Sequence, residues 1–194
     1  MLELHTWGTT NGRRPIIMLE EASLSYSLHP VDIKSGANKS EAHLKISPYG
    51  KIPALVDTAG PGGQRISLFE SSAILLYLGE RSGKFMGDSP ANRADVYKWL
   101  MYSVATLMPT FSIMRQHKEL EAGVPAMLDV LDRQLGQTEF LAGSYSIADM
   151  TPVTRFALFT DHEWFKSRPN LNRWLTTVLA RPAVKKALEM KIGE

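Results

Sequence analysis

The chain has 194 residues, with 22 basic and 20 acidic side chains, a hydrophobic fraction of 44% and no cysteine. This near balance of charge argues against nucleic acid or an anionic membrane as the main partner, and the length allows one large domain or two small ones. Without cysteine the chain has no disulfide and no thiol nucleophile of its own, so thiol chemistry would need a sulfur carried by a ligand.

Two further features concern metals and location. The histidines are not spaced like zinc ligands, so we expect no metal, and His43 and His117 are interpreted as surface residues. The N-terminus lacks the basic and apolar regions of a signal peptide, and no apolar run is long enough for a membrane helix. We therefore expect a cytoplasmic protein.

The first part of the chain alternates strand and helix patterns. Strands are predicted over residues 2–6, 25–33, 54–57 and 65–67, and helices over residues 13–22, 41–46 and 71–81. This order predicts a mixed four-stranded sheet with helices on both faces and a parallel, right-handed first crossover. Pro30 indicates that the second strand lies at an edge or ends there.

The second part of the chain shows helical patterns and no convincing strand. Residues 83–90 read as a linker between a first domain at 1–82 and a helical domain at 91–194. One helix is expected over 91–107, broken or kinked at Met108-Pro109, with others over 125–135 and after Pro182. Ser146 and Asp149 match a capping box at the start of a further helix. The fold class is therefore α+β.

Two short segments carry groups that suit a small peptide-like ligand, Lys51-Ile52-Pro53 and Glu70-Ser71. Pro53 can expose the Ile52 backbone for pairing with an extended ligand. Glu70 can take an ammonium, while Ser71 and the N-terminus of the next helix can take a carboxylate. A γ-glutamyl group carries both charges on one carbon, so the pair suggests glutathione. Taken singly, each residue also fits a plain role: Glu70 as a helix-terminal acid, Lys51 as a surface lysine and Pro53 as a trans proline.

Three separated motifs resemble those of the glutathione transferase family, in the same order and over essentially the full chain: Lys51-Ile52-Pro53-Ala54, Glu70-Ser71 and Ser146-Ile147-Ala148-Asp149. The resemblance implies a thioredoxin-like N-terminal domain, an all-helical C-terminal domain, a homodimer and glutathione as co-substrate. Within the family the chain is most similar to the bacterial Nu class, relatives of which reduce disulfides. The matching stretches are Thr9-Thr10-Asn11-Gly12, Leu19-Glu20-Glu21-Ala22, Val31-Asp32-Ile33, Ile46-Ser47-Pro48 and Leu68-Phe69-Glu70-Ser71.

The resemblance also implies roles for individual residues around the ligand sulfur. Thr9 and Asn11 would stabilise the glutathione thiolate, since the chain has no Tyr, Ser or Cys in that stretch, and Thr10 lies where some bacterial relatives carry cysteine. Asn11 fits equally well as the cap of the first helix, and this alternative stays open. Asn38 stands where these relatives often have Gln. Their C-terminal arginine has no clear counterpart, and Arg115 is the candidate.

The rest of the expected ligand site follows from the same resemblance. Lys51 would approach the glycyl carboxylate, Ile52 and a cis Pro53 the cysteinyl part, and Glu70 with Ser71 the γ-glutamyl group. Two functions of different class stay open. One is an enzyme that uses glutathione against disulfides or small electrophiles, or as cofactor in isomerisation or dehalogenation. The other is a non-catalytic glutathione-binding or structural protein of the same fold.

Overall fold

The structure is a computed structural model that describes residues 1–114 and 116–193. Arg115, the candidate arginine of the helical part, lies outside the described residues. The chain forms two compact units. One comprises residues 1–82 together with the segment from Lys185 onward, and the other comprises residues 83–184.

The first unit is built on the mixed four-stranded sheet expected from the sequence. Its strands are β1 (Leu2–Thr6), β2 (Tyr26–Pro30), β3 (Ala54–Asp57) and β4 (Ile66–Phe69), and its helices are α1 (Thr10–Ala22), α2 (Glu41–Leu44) and α3 (Ser71–Ser82). The strand order is β2-β1-β3-β4, with β1 and β2 parallel and the other two pairs antiparallel. The thioredoxin-like sheet and the edge position of the second strand are thus confirmed.

Alternation along the strands decides which side chains form the core. Leu4 of β1 pairs with Leu55 of β3, and both side chains are fully buried. The neighbouring Ala54 and Val56 point to the opposite face because successive strand residues alternate, and there they cluster with Ile46. The sheet therefore buries apolar residues on both faces.

A buried carboxylate fixes the end of β3. Asp57 accepts hydrogen bonds from the Tyr77 hydroxyl at 2.6 Å and the Ala59 N–H at 3.0 Å, and Arg81 lies 2.5 Å away. Burial alone would raise the pKa of the Asp57 carboxyl, but the two hydrogen bonds and the Arg81 charge outweigh it and hold the pKa below its ordinary value. The ionised form of Asp57 is therefore favoured by folding.

This network predicts a pH-dependent effect of Tyr77→Phe. A carboxylate with a lowered pKa contributes stability above its unfolded pKa of about 3.9 and loses that contribution as pH falls through the folded value. The variant should therefore lower the free energy of unfolding by about 1.5–3 kcal/mol at pH 7, and by clearly less at pH 2. Urea unfolding of wild type and variant at both pH values measures the difference. An equal loss at both would exclude the charged hydrogen bond as its source.

The regular elements described in the second unit are helices, as predicted, beside two isolated β-bridges, Phe140–Gly143 and Ala142–Ser144. Its helices, together with the last helix of the chain, are α4 (Pro90–Met101), α5 (Met108–Ile113), α6 (Val124–Leu135), α7 (Ile147–Phe156), α8 (Glu163–Lys166), α9 (Pro169–Leu179) and α10 (Pro182–Glu189). In the described part of the chain, no helix has the length and apolar character needed to cross a membrane.

Of the two effects expected at Met108-Pro109, a break or a kink, the break is wrong. The helical backbone does not break at Met108-Pro109 but continues through a π-helical turn, Tyr102–Leu107, into α5. In this wider turn the Met108 N–H bonds to the Ser103 carbonyl, five residues back. A π-helical turn beside a proline absorbs the missing N–H without ending the helix. The sequence alone gives only the proline and not the turn that accommodates it.

The helix α7 begins with the capping box that the sequence contains at Ser146 and Asp149. Asp149 is fully buried and accepts hydrogen bonds from the Leu141 N–H, the Ser146 N–H and the Trp174 indole N–H at 3.0, 3.0 and 2.7 Å. Burial raises the pKa of Asp149 to about 6, and these donors limit the rise because they stabilise the carboxylate. The residue thus ties α7 to α9 as well as capping α7.

The end of α10 belongs to the first unit, although the sequence-based division assigned it to the helical domain. Arg13 of α1 donates to the carbonyls of Ala187 and Met190. Lys186 forms an ion pair with Glu20 at 2.7 Å. The Arg13 guanidinium thus places a cation at the C-terminal carbonyls of α10, which is favourable there.

Candidate functional site

A cleft of about 270 Å³ in the first unit brings together most of the residues expected to bind a ligand. It is lined by Asn11, Tyr49, Lys51, Ile52, Pro53, Phe69, Glu70 and Ser71. Six of these are expected site residues, and Tyr49 and Phe69 are additions. Of the residues expected to bind glutathione, Thr9, Thr10 and Asn38 are not part of this lining among the described residues.

The start of α1 gives Thr9 and Asn11 different positions. Thr9 is the N-cap, and its hydroxyl oxygen accepts a hydrogen bond from the Gly12 N–H at 3.1 Å. The helix therefore begins at Thr10, three residues before its predicted start, because the preceding threonine supplies the cap. Asn11 is not the cap: it is exposed in the first turn and its side chain is available to the cleft.

Gly12 holds this turn close to the end of β1. A Cβ atom at this position would lie 2.2 Å from the Trp7 carbonyl oxygen and 2.6 Å from the Thr6 hydroxyl. The Thr6 hydroxyl also donates to the Gly12 carbonyl at 2.9 Å. The close approach therefore requires glycine, and it sets the position of the first turn of α1 relative to the cleft.

We expect Gly12→Ala to lower the free energy of unfolding by about 2–3 kcal/mol, because the new methyl group overlaps backbone that cannot move freely. Gly8→Ala is the matched control, since a Cβ there has its nearest contact at an ordinary 3.5 Å. Thermal and urea unfolding of both variants measures the effect. Equal stability of the two variants would contradict the close packing at Gly12.

The segment that carries Lys51 is held by side chains on its carbonyls. The Lys51 carbonyl accepts from the Ser47 hydroxyl at 2.8 Å and lies 2.9 Å from Nε2 of His43. Asn38 donates to the Gly50 carbonyl at 2.7 Å. The Ile52–Pro53 peptide bond is cis, as the family resemblance implies. The interpretation of His43 as a surface residue is wrong, since it is buried at 5% exposure against this segment.

The turn from β4 to α3 places an acid and a hydroxyl side by side. Glu70 has a left-handed backbone with φ of 70°, an uncommon conformation for a non-glycine residue, and its carbonyl accepts from the Ile74 N–H. Ser71 is the first residue of α3, and its hydroxyl oxygen accepts from Nη1 of the buried Arg14 at 3.0 Å. Strained backbone of this kind is concentrated at binding sites.

The charges in the cleft are arranged for a ligand that carries both signs. Lys51 contributes an exposed ammonium group, which lies 5.2 Å from the centre of the Tyr49 ring. Glu70 contributes an exposed carboxylate. The Arg14 guanidinium and the N-terminus of α3 favour an anion at Ser71. The cleft can therefore hold two carboxylates and one ammonium.

Four residues of this region were missed from the sequence: Arg14, His43, Tyr49 and Phe69. Arg14 could have been found, because it interrupts an otherwise apolar run on the inner face of α1 and a buried arginine needs partners. Phe69 immediately precedes Glu70 and shares its turn. His43 lies in the single turn of α2, and Tyr49 lies in an irregular segment. In such short or irregular segments the sequence gives no signal for burial or for which side chain faces the cleft.

Comparison with protein-family models matches both parts of the chain. Residues 10–81 match the model of the glutathione S-transferase N-terminal domain, and residues 97–182 match that of the C-terminal domain. The disulfide-bond oxidoreductase YfcG of Escherichia coli (strain K12) is 33% identical over 208 residues, which covers 97% of this chain and 94% of YfcG.

Solved structures give the same result. A glutathione transferase family member from Pseudomonas fluorescens, with two glutathione bound, has a TM-score of 0.90 at 32% identity and covers 97% of this chain and 92% of its own. A glutathione transferase from Pseudomonas putida, with one glutathione disulfide bound per protein subunit, has a TM-score of 0.91 at 33% identity, over 97% and 91% of the two chains. The chain belongs to the glutathione S-transferase family.

Proposed function

We propose that the protein is a glutathione-dependent enzyme that uses the thiolate of bound glutathione against disulfides or small electrophiles. The observation that carries the proposal is the cleft in which Asn11, Lys51 and Glu70 converge. A ligand with a thiol near its middle and opposite charges at its ends matches this arrangement.

Each end of glutathione has a complementary group. The Glu70 carboxylate pairs with the γ-glutamyl ammonium, and the Ser71 hydroxyl donates to the carboxylate on the same carbon. Its oxygen already accepts from Arg14, which leaves the hydroxyl proton for the ligand. Lys51 faces the glycyl carboxylate, and the Ile52 backbone pairs with the cysteinyl residue. Asn38 contributes indirectly by holding the Gly50 carbonyl.

The thiolate is stabilised at the start of α1. A free thiol has a pKa of about 8.5, and lowering it by two units takes about 2.7 kcal/mol of preferential stabilisation. The Asn11 amide donates to the sulfur, and the helix N-terminus adds its dipole. Thr9 accepts from the Gly12 N–H, so its own hydroxyl proton can also point to the sulfur. Thr10 is the reserve donor in the same turn.

Disulfide reduction needs no protein cysteine when two glutathiones act in turn. One thiolate attacks the substrate disulfide, forms a mixed disulfide and releases one substrate thiolate. The second glutathione thiolate attacks the mixed disulfide, forms glutathione disulfide and releases the other substrate thiolate. Two protons from the two glutathiones end on the two product thiols. The two glutathiones and the glutathione disulfide held by the Pseudomonas relatives support this order.

We also propose a homodimer in the cytoplasm. Tyr97 and Met101 are exposed and lie four residues apart on α4, so they share one face of that helix. Burial of this face against a second copy would remove two large apolar side chains from water. Light scattering should give twice the chain mass in solution.

The proposed location follows from the reaction, because the cytoplasm supplies the reduced glutathione that the reaction consumes.

Turnover tests the proposed reaction. We expect the protein to reduce a hydroxyethyl disulfide substrate with two glutathiones consumed per disulfide, followed by coupled reduction of the glutathione disulfide formed. Conjugation of an aromatic chloride in the same preparation reports the transferase route. Glutathione binding without either activity would instead support a non-catalytic glutathione-binding protein.

A further inference from the structure

Two neighbouring strands place three side chains of metal-binding type together on the sheet, outside the lining of the cleft. Strands β1 and β2 are parallel and in register, with Glu3 opposite Ser27 and His5 opposite His29. Partners in register point to the same face, and Glu3 and His5 share that face because they are two residues apart. None of the three ligating residues lines the glutathione cleft.

The three side chains are close enough to share one ion. One ligand atom each from Glu3, His5 and His29 lies within 4.8 Å of the others. The two imidazole rings stack with centroids 4.7 Å apart and planes 15° apart. The Ser27 hydroxyl lies 3.1 Å from Nε2 of His29 and orients that ring, as partners of ligating histidines do.

Two imidazoles and a carboxylate suit a divalent transition-metal ion, above all Zn²⁺. Ligand atoms around tetrahedral Zn²⁺ lie about 3.4 Å apart, given Zn–N distances near 2.1 Å, so ion binding requires the side chains to rotate toward one another.

We propose that Glu3, His5 and His29 form a binding site for one Zn²⁺ ion on the face of β1 and β2 opposite Leu4, with water completing its coordination. The paired strands fix the backbone positions of the three ligands, and His29 is exposed at the edge strand, so an ion can reach the site from solvent. The sequence spacing of the histidines gives no such signal, because His5 and His29 meet only through the parallel pairing of β1 and β2.

Calorimetric titration of the tag-free protein with zinc chloride, in a buffer that does not bind zinc, tests the site. We expect one ion per chain with a dissociation constant in the micromolar range. His29→Ala and Glu3→Gln should each weaken Zn²⁺ binding at least about tenfold. Loss of a residue that only supports a metal ligand already weakens metal binding by that factor, and these two residues are ligands themselves. Both residues are at the surface of the sheet, and circular dichroism checks that the variants fold.

His117→Ala is the matched control, because His117 is exposed and lies outside the cluster. It should bind Zn²⁺ as tightly as wild type. Co²⁺ gives a second readout, since visible absorption bands of a nitrogen- and oxygen-bound ion should form with wild type and disappear with His29→Ala. Zinc binding no tighter than millimolar, or equal binding by wild type and His29→Ala, would overturn the proposal. Neither titration requires glutathione, so the result is independent of the proposed reaction.

Discussion

Replacing Asn11 with alanine should lower kcat for disulfide reduction by about a hundredfold, the lower end of the loss seen when one donor to a developing anion is removed. The fold should be unaffected, because Thr9 rather than Asn11 caps α1. The lost amide donor raises the pKa of the bound thiol, so less thiolate is present at pH 7. The pH profile of kcat should therefore shift to higher pH, and part of the activity should return at pH 9.

Asn172→Ala is the control for this substitution, since it makes the same chemical change on an exposed position of α9. It should leave kcat and its pH profile unchanged. Thr9→Ser should also keep activity, because serine retains both the cap and the hydroxyl donor. A wild-type kcat for Asn11→Ala, with an unshifted pH profile, would mean that Asn11 does not stabilise the thiolate.

Replacing Glu70 with glutamine should weaken glutathione binding by about tenfold to a hundredfold, the equivalent of losing a charge-assisted hydrogen bond of about 1.5–3 kcal/mol. The variant keeps the size of the side chain and removes only its charge. The effect should appear mainly in the dissociation constant and KM for glutathione, because the γ-glutamyl group is remote from the reacting sulfur. Calorimetric titration and steady-state kinetics measure both quantities.

Two comparisons show whether Glu70 contacts the ammonium. Glu80→Gln makes the same charge change on an exposed residue of α3 outside the cleft, and it should bind glutathione as wild type does. Desamino-glutathione lacks the ammonium. Wild type should bind it more weakly than glutathione, whereas Glu70→Gln should bind the two ligands about equally. If Glu70→Gln preferred glutathione over desamino-glutathione as strongly as wild type does, Glu70 would not contact the ammonium.

The elements of the first unit could be predicted because their patterns are strong. Alternation at Leu2 and Leu4 and the helical spacing of Ile74 and Leu78 gave the right element types. The capping residues Ser146 and Asp149 gave the start of α7 for a similar reason, since the capping box is a local interaction. Alternation, helical spacing and capping depend on residues that are close in sequence, so a single sequence is enough to predict them.

The errors come from choices between local alternatives and from distant contacts. Thr9 and Asn11 are both good caps, and in the structure Thr9 takes this role by accepting from the Gly12 N–H. The helix through Pro109 continues because a π-helical turn precedes it, which no local pattern marks. Burial of His43 depends on the Lys51 carbonyl, and the docking of the C-terminal segment depends on Arg13.

Several residues predicted to bind a ligand line the cleft, whereas the buried residues behind them were missed. Lys51 and Glu70 carry charges whose chemistry indicates a ligand, and both line the cleft. Arg14 lies behind Ser71 and reaches it across 57 residues of sequence. A contact of that range is invisible without the fold, because it depends on how α1 packs against α3.

Calorimetric titration with reduced and oxidised glutathione is the most direct test of the glutathione site. The proposed reaction with two glutathiones predicts saturable binding of glutathione disulfide at one molecule per chain, or of reduced glutathione at up to two. The affinity for both should be about tenfold to a hundredfold weaker in Glu70→Gln. Absence of heat and of saturation for both forms, with a folded protein, would contradict glutathione dependence and leave the family assignment as a statement about fold alone.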